Sequence, residues 1–269
     1  IAGFTYADLV VKAGISQWPA VFLGIAAAVA FGFVVGLVAS RTTGVYFLML
    51  TLAIGVVVYY FYLQVSQLSG QTGVQTGRAP GLLGGDTIAH PNRLYYAALI
   101  VSLAVIALVR VVGRSPFGLA LQGIRDDPVR MRALGFRVGL HRAFAFALGS
   151  LIASFAGVFS VFFNLQISPS SIDINQTIAV LAIAVVGGLS RLEGAWVGAL
   201  IYSILLEYTQ PWAAHLPSAL QTNFGPERYP TWLGLVFLAV VVASPDGAVG
   251  LFERLVRNVS RRLRGAPAN

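Results

Sequence analysis

The sequence predicts an all-α fold: a polytopic transmembrane helix bundle, formed as a single domain over residues 1–269. Three observations predict it. Hydrophobic residues make up 57% of the 269 residues and charged residues only 10%, against roughly a quarter charged in a soluble domain. Apolar runs of bilayer-crossing length, about 20 residues, recur along the chain. The basic residues gather on alternate loops. There are no cysteines, which excludes disulfides, thiolate metal sites and a thiol nucleophile. The chain starts at Ile1 without an initiator methionine, so an N-terminal portion is expected to precede it, and no signal peptide pattern is evident.

Taken in order, seven spans are expected. Trp18 to Ala39 and Gly44 to Val65 are uncharged and long enough. Leu94 to Val112 carries Arg110 near its end, where the side chain can snorkel. Ala143 to Phe163 is the fourth. Thr177 to Leu189 is short, and Gly194 to Gln210 follows a tight "RLEG" turn. Thr231 to Ser244 is bracketed by Pro230 and Pro245. Small residues four apart, at Gly32 and Gly36, at Gly149, Ala153 and Gly157, and at Gly194 and Gly198, let helix backbones approach closely in lipid.

Strict alternation puts 110–142, 246–269, Arg41 and Arg191 on one side. Those segments hold seven, five, one and one basic residues, 14 of the 18. The positive-inside rule makes that side cytoplasmic and leaves the C-terminus inside. The net charge of +8 then faces anionic lipid heads, the basic tail 246–269 lying at the lipid surface, and no nucleic-acid partner is needed to explain it.

The cytoplasmic loop 113–142 interrupts the apolar pattern. Ser115-Pro116 has the form of an N-cap followed by proline at the first helical position, and Phe117, Ala120, Leu121 and Ile124 repeat at helical spacing. Asp127-Pro128 opens a second helix in the same way, and Gly135 closes it. That second helix has only about two turns, too few to stand alone in water. Val129, Met131 and Leu134 offer an apolar surface beside Arg130 and Arg132. It must either pack on its own bundle or dock on another protein.

This loop and the helix after it, "GRSPFGLALQGIRDDPVRMRALGFRVGLHRAFAFALGSLIASFAGVF", resemble the branched-chain amino acid permease family. So do "GVYFLMLTLA" at residues 44–53 and "SPSSIDINQTIAVLAIAVVGGLSRLEGAWVGAL" at residues 168–200. The likeness covers most of residues 41–210 and is nearest to the second of the two permease subunits that such importers pair. It implies an ATP-binding-cassette importer subunit in the bacterial inner membrane, with a homologous permease, two ATPase subunits and an extracytoplasmic binding protein as partners. It implies that Asp127, Pro128, Arg130, Arg132, Ala133, Leu134 and Gly135 form the coupling element seated in an ATPase groove. ATP and magnesium would be bound by those partners, since this chain has no G-x-x-x-x-G-K-[ST] phosphate loop. No cofactor, metal or catalytic residue is expected in the chain itself. Branched-chain or related amino acids are the implied solutes.

Transporters often break helices near the midplane to free backbone groups for a polar solute. Two places have that form: the run between Gly44 and Gly55 containing Thr51, and the short span ending at Gly187-Gly188. A third candidate is "SGQTGVQTG" at residues 69–77. Against the family's T-G-G-x-x-G element, Thr72, Gly73 and Gly77 match while Val74 replaces the second glycine. The expected solute path therefore comprises Thr51, Thr72, Gly73, Gly77, Gly187 and Gly188.

The rival readings are weaker. An ion-coupled secondary transporter of a small polar solute would be expected to show a midplane carboxylate, and none is evident. A channel would need a polar filter. A metalloenzyme would need clustered ligands, yet the alternation puts His141 inside and His90 and His215 outside, and there is no H-E-x-x-H. Ser150 and Ser154 share a helix face, but hydroxyls there commonly bond back to the helix.

Overall fold

The structure is a computed structural model that describes residues 1–42, 44–65, 73–76, 91–188, 192–214 and 234. The described helices are α1 (Ala2–Val11), α2 (Gln17–Ala39), α3 (Val45–Gln64), α4 (Pro91–Arg114), α5 (Pro116–Asp126), α6 (Pro128–Ala133), α7 (Val138–Asn164), α8 (Ile174–Gly187) and α9 (Gly194–Ala214). Two short strands, β1 (Val74–Gln75) and β2 (Gln166–Ile167), accompany them. Among the described residues four helices, in α2, α3, α4 and α7, are long and apolar enough to cross a membrane. The chain divides into two compact units, Ile1–Asp173 and Ile174–Asn269.

The first unit is centred on α2 against α7, with α1 lodged beside both. One face of α2 buries a small residue at every fourth position: Ala20, Gly24, Ala28, Gly32 and Gly36. The glycines are used for contact. A Cβ on Gly32 would stand 1.8 Å from Ser150 Oγ, and one on Gly36 would stand 2.8 Å from the Ala143 Cα. Where both sides of an interface are apolar and lipid competes on equal terms, such close backbone approach is what holds helices together.

α1 is an element the span pattern does not reveal. Ten residues are too few to cross a bilayer, and no side-chain cap marks its start. Yet Phe4, Tyr6 and Ala7 are wholly buried. Phe4 stacks on Tyr62 of α3 with ring centroids 4.1 Å apart, and Tyr6 meets Phe162 of α7 edge-on at 5.4 Å. Asp8 pairs with Lys12 one turn later. The Tyr6 hydroxyl is buried with no hydrogen-bond partner among the described residues.

The remaining elements refine the expected spans. α3 runs unbroken through Gly55, which corrects the expectation of a broken helix there. A glycine costs a helix only about 1 kcal/mol, and unpaired peptide groups in lipid cost more. The break lies instead before the helix, where Gly44 has φ +62. α4 begins at Pro91 and α7 at Val138, earlier than the uncharged runs indicate, because helices continue past the hydrocarbon into charged residues such as Arg93 and Arg142. No residue of α4's most apolar stretch is buried. The expected seventh span at 231–244 and the tail 246–269 lie outside the described residues.

In the second unit, α8 and α9 form a close hairpin. A Cβ on Gly187 would stand 1.9 Å from the Gly194 carbonyl oxygen, and one on Gly198 would stand 2.1 Å from that of Ile183.

Candidate functional site

The polar loop folds into a two-helix elbow, α5 and α6, between the end of α4 and the start of α7. Its helices begin where the sequence places them. The Ser115 hydroxyl accepts from Gly118 N–H at 3.3 Å and donates to the Val112 carbonyl at 2.6 Å. The Asp127 carboxylate accepts from the N–H groups of Val129 and Arg130, each at 3.0 Å. Both caps satisfy donors that a helix start leaves open, and both precede proline at the first helical position.

Gly135 ends α6 with φ +88. Gly135 N–H donates to the Arg132 carbonyl at 3.0 Å, and Phe136 N–H donates to the Met131 carbonyl at 3.1 Å. This pair of bonds is the Schellman motif, which needs a left-handed residue at the position Gly135 holds.

The open alternative for α6, packing at home or docking elsewhere, resolves by residue. Met131 packs at home: a Cβ on Gly123 of α5 would stand 2.9 Å from its sulfur. Met131 therefore does not belong to the outward apolar surface expected of it. Val129 and Leu134 point outward, 71% and 64% exposed. Ala133, Arg130 and Arg132 are exposed beside them, and α6 buries no residue. α5 buries Gly118, Ala120 and Ile124. Gly118 lies so close to the end of α4 that a Cβ would stand 2.3 Å from the Val112 carbonyl oxygen.

The expected path residues that the structure describes lie within α3, beside β1 and at the end of α8. The Thr51 hydroxyl donates to the Phe47 and Leu48 carbonyls within α3. Gly73 has φ +76, and a Cβ there would stand 2.3 Å from the Ile167 carbonyl oxygen. Val74 is buried as a strand residue opposite Ile167, and Gln75 pairs with Gln166. A β-branched residue suits that strand, so Val74 in place of glycine has a structural reason. Residues 73–76 are thus held against the end of α7 and β2, Thr76 donating to the Leu165 carbonyl through both its N–H and its hydroxyl. Thr72 and Gly77 lie outside the described residues. Gly187 and Gly188 are buried, and Gly188 has φ +110 at the end of α8.

A cavity of about 380 Å³ opens beside α7 and is bordered by Ser150, Ser154, Ser171, Phe4 and Ile1. The Ser154 hydroxyl donates back to the Leu151 carbonyl at 2.6 Å, as expected for a helix serine. Among the described residues, no three of histidine, aspartate and glutamate gather to hold a metal ion.

Helices of bilayer length joined by a capped polar elbow define a multi-pass membrane protein. The family model for the permease component of the branched-chain amino acid transport system matches residues 1–244, and the chain belongs to that family. It is similar to the high-affinity branched-chain amino acid transport system permease protein LivM of Salmonella typhimurium, 25% identical over 291 aligned residues, covering all of this chain and 65% of the relative. The LivM protein of Escherichia coli is 26% identical over 77% of this chain and 53% of its own length. The autoinducer 2 import system permease protein LsrC of Yersinia enterocolitica is 29% identical over 53% of this chain and 38% of its own length. The chain thus spans between about half and two thirds of the LivM relatives. No solved structure matches it.

Proposed function

We propose that the chain is the transmembrane permease subunit of an ATP-driven importer for branched-chain or related amino acids. It pairs with a homologous permease, sits on two ATPase subunits that bind ATP and magnesium, and receives solute from an extracytoplasmic binding protein. The observation that carries this reading is the elbow within a chain of this family. α6 is too short to persist alone, yet it is capped at both ends and turns Val129, Ala133 and Leu134 outward. A rigid, outward apolar helix flanked by Arg130 and Arg132 fits a groove with acidic rims on an ATPase.

In this mechanism, closure of the ATPase dimer on ATP carries α6 with it. The Met131–Gly123 contact passes the movement to α5, and the Gly118 contact passes it to α4. The bundle then alternates between outward and inward access. The elbow lies in the cytoplasm, with the C-terminus on the same side, in the bacterial inner membrane. We assign Thr51, Thr72, Gly73, Gly77, Gly187 and Gly188 to the solute path.

The test is purification of the chain in gentle detergent, with identification of what accompanies it and an ATP hydrolysis assay. ATPase subunits and a second permease are expected to co-purify, and Leu134→Asp is expected to release the ATPases. A chain that runs alone and moves solute into liposomes without ATP would overturn this reading in favour of an ion-coupled transporter.

A further inference from the structure

We propose that His141 is a positioning residue: its imidazole, held between Phe117 of α5 and Phe136 at the exit of α6, is the joint that passes movement of the elbow into α7. The inference rests on the ATPase-coupled reading above and adds to it how α7 is engaged. The contacts traced so far lead from α6 to α5 and from α5 to α4. α5 and α6 also pack on α7, the longest described helix, which leaves open the side chain that carries the movement across.

His141 closes that gap. It lies in the first turn of α7. Phe117 stacks on its face, with ring centroids 5.9 Å apart and planes 15° apart. Phe136 meets it edge-on, at 5.7 Å and 70°. The ring is oriented by its own helix. Its Nδ1 lies 3.0 Å from the Arg137 carbonyl, which can only accept, so Nδ1 carries the proton and donates. The backbone N–H of His141 donates to the same carbonyl at 3.1 Å. One ring therefore touches α5 at Phe117 and, at Phe136, the segment that leaves α6, while its orientation is fixed from α7. Aromatic pairs of this geometry are favourable and directional, so a shift of Phe117 or Phe136 must turn or carry the imidazole. Packed contacts of this kind switch between discrete arrangements and do not deform smoothly.

The far end of α7 supplies a readout. α7 leads directly to β2, and exposed Gln75 of β1 pairs with Gln166 there. The chain has no cysteine, so Gln75→Cys gives one label site in this chain, read on its own band after the subunits are separated. In the purified permease–ATPase complex, maleimide labelling at this site is measured without nucleotide and after trapping with ATP and vanadate. The labelling rate is expected to differ roughly fivefold or more, the lower end of ordinary coupling between sites. His141→Ala is expected to abolish that difference while ATP hydrolysis persists. His141→Phe, which keeps the ring, is expected to restore it. Phe117→Ala should reproduce the alanine phenotype, and the Phe117→Ala, His141→Ala pair should be no worse than either alone. Retention of the full difference in both His141→Ala and Phe117→Ala overturns the joint. So does a His141→Phe variant as defective as alanine, or a complex that hydrolyses ATP without any nucleotide effect at Gln75→Cys. A chain that brings no ATPase overturns instead the reading on which the joint rests.

Discussion

At Gly135 no atom of the described residues lies within 4 Å of where a Cβ would stand, yet φ is +88. A side chain there meets conformational cost and no steric one. Gly135→Val is expected to destabilise the end of α6 by about 1–2 kcal/mol or somewhat more, since a β-branched residue fits the left-handed region worst. Gly135→Asn should cost less, because asparagine tolerates that region. On the proposed mechanism, uptake per unit of expressed protein falls in the valine variant and largely survives in the asparagine variant. Tyr6 is the opposite case, a buried hydroxyl with no hydrogen-bond partner among the described residues. A buried hydroxyl without a partner costs about 1–3 kcal/mol, so Tyr6→Phe is expected to leave the fold intact and raise the detergent-state Tm by a few degrees.

Between elements, the decisive quantity is how near two backbones come. Gly32→Leu would drive a side chain into Ser150 and force α2 from α7. Overpacking of this kind costs about 1–3 kcal/mol or more, and the variant should show a lowered Tm and reduced folded yield. Gly187→Ala meets the Gly194 carbonyl at 1.9 Å, and carbonyls cannot swing aside as side chains do. It should open the α8–α9 hairpin, seen as new protease sensitivity between residues 188 and 194. Much of this level was legible in the sequence. Ser115-Pro116, Asp127-Pro128 and Gly135 marked the elbow because caps are local chemistry, decided within four residues. The small-residue spacing marked Gly32 and Gly36 of α2 as a face of close approach, but not its partner: Ser150, Phe146 and Ala143 of α7 meet it, whereas Gly149 has no described atom within 4 Å of a Cβ position. What stayed illegible was non-local. α1 has neither span length nor a cap, and its place follows only from aromatic contacts with Tyr62 and Phe162. Val74 resembled a departure from a motif until its partner, Ile167, was in view. Met131 looked outward until Gly123 left room for it. Likewise the Phe117–His141–Phe136 contact joins residues up to 24 positions apart, and no periodicity announces it.

For the whole molecule, orientation is open to direct measurement, again helped by the absence of cysteine. Leu134→Cys and Gln75→Cys flank α7, a helix of about 40 Å. With the elbow in the cytoplasm, a membrane-impermeant maleimide applied to intact cells should label Gln75→Cys and spare Leu134→Cys, and permeabilisation together with removal of the ATPases should abolish the difference. The reverse pattern would place the elbow outside and remove the proposed site of ATPase docking.

α4 contributes no residue of its apolar stretch to the interior, yet its last turn is locked to α5 at Gly118. Its 23-residue apolar segment measures about 35 Å, against a hydrocarbon core of about 30 Å. Leu94 and Ala97 tie the start of this helix to the core, and among the described residues the rest of its apolar surface is left to the bilayer or a neighbouring subunit. The excess length is accommodated in part by tilting, which responds to bilayer thickness, and the Gly118 lock couples that tilt to the elbow. On the proposed mechanism, lipid acyl-chain length becomes an input: in liposomes of graded thickness, transport rate should pass through an optimum while ATPase binding stays constant.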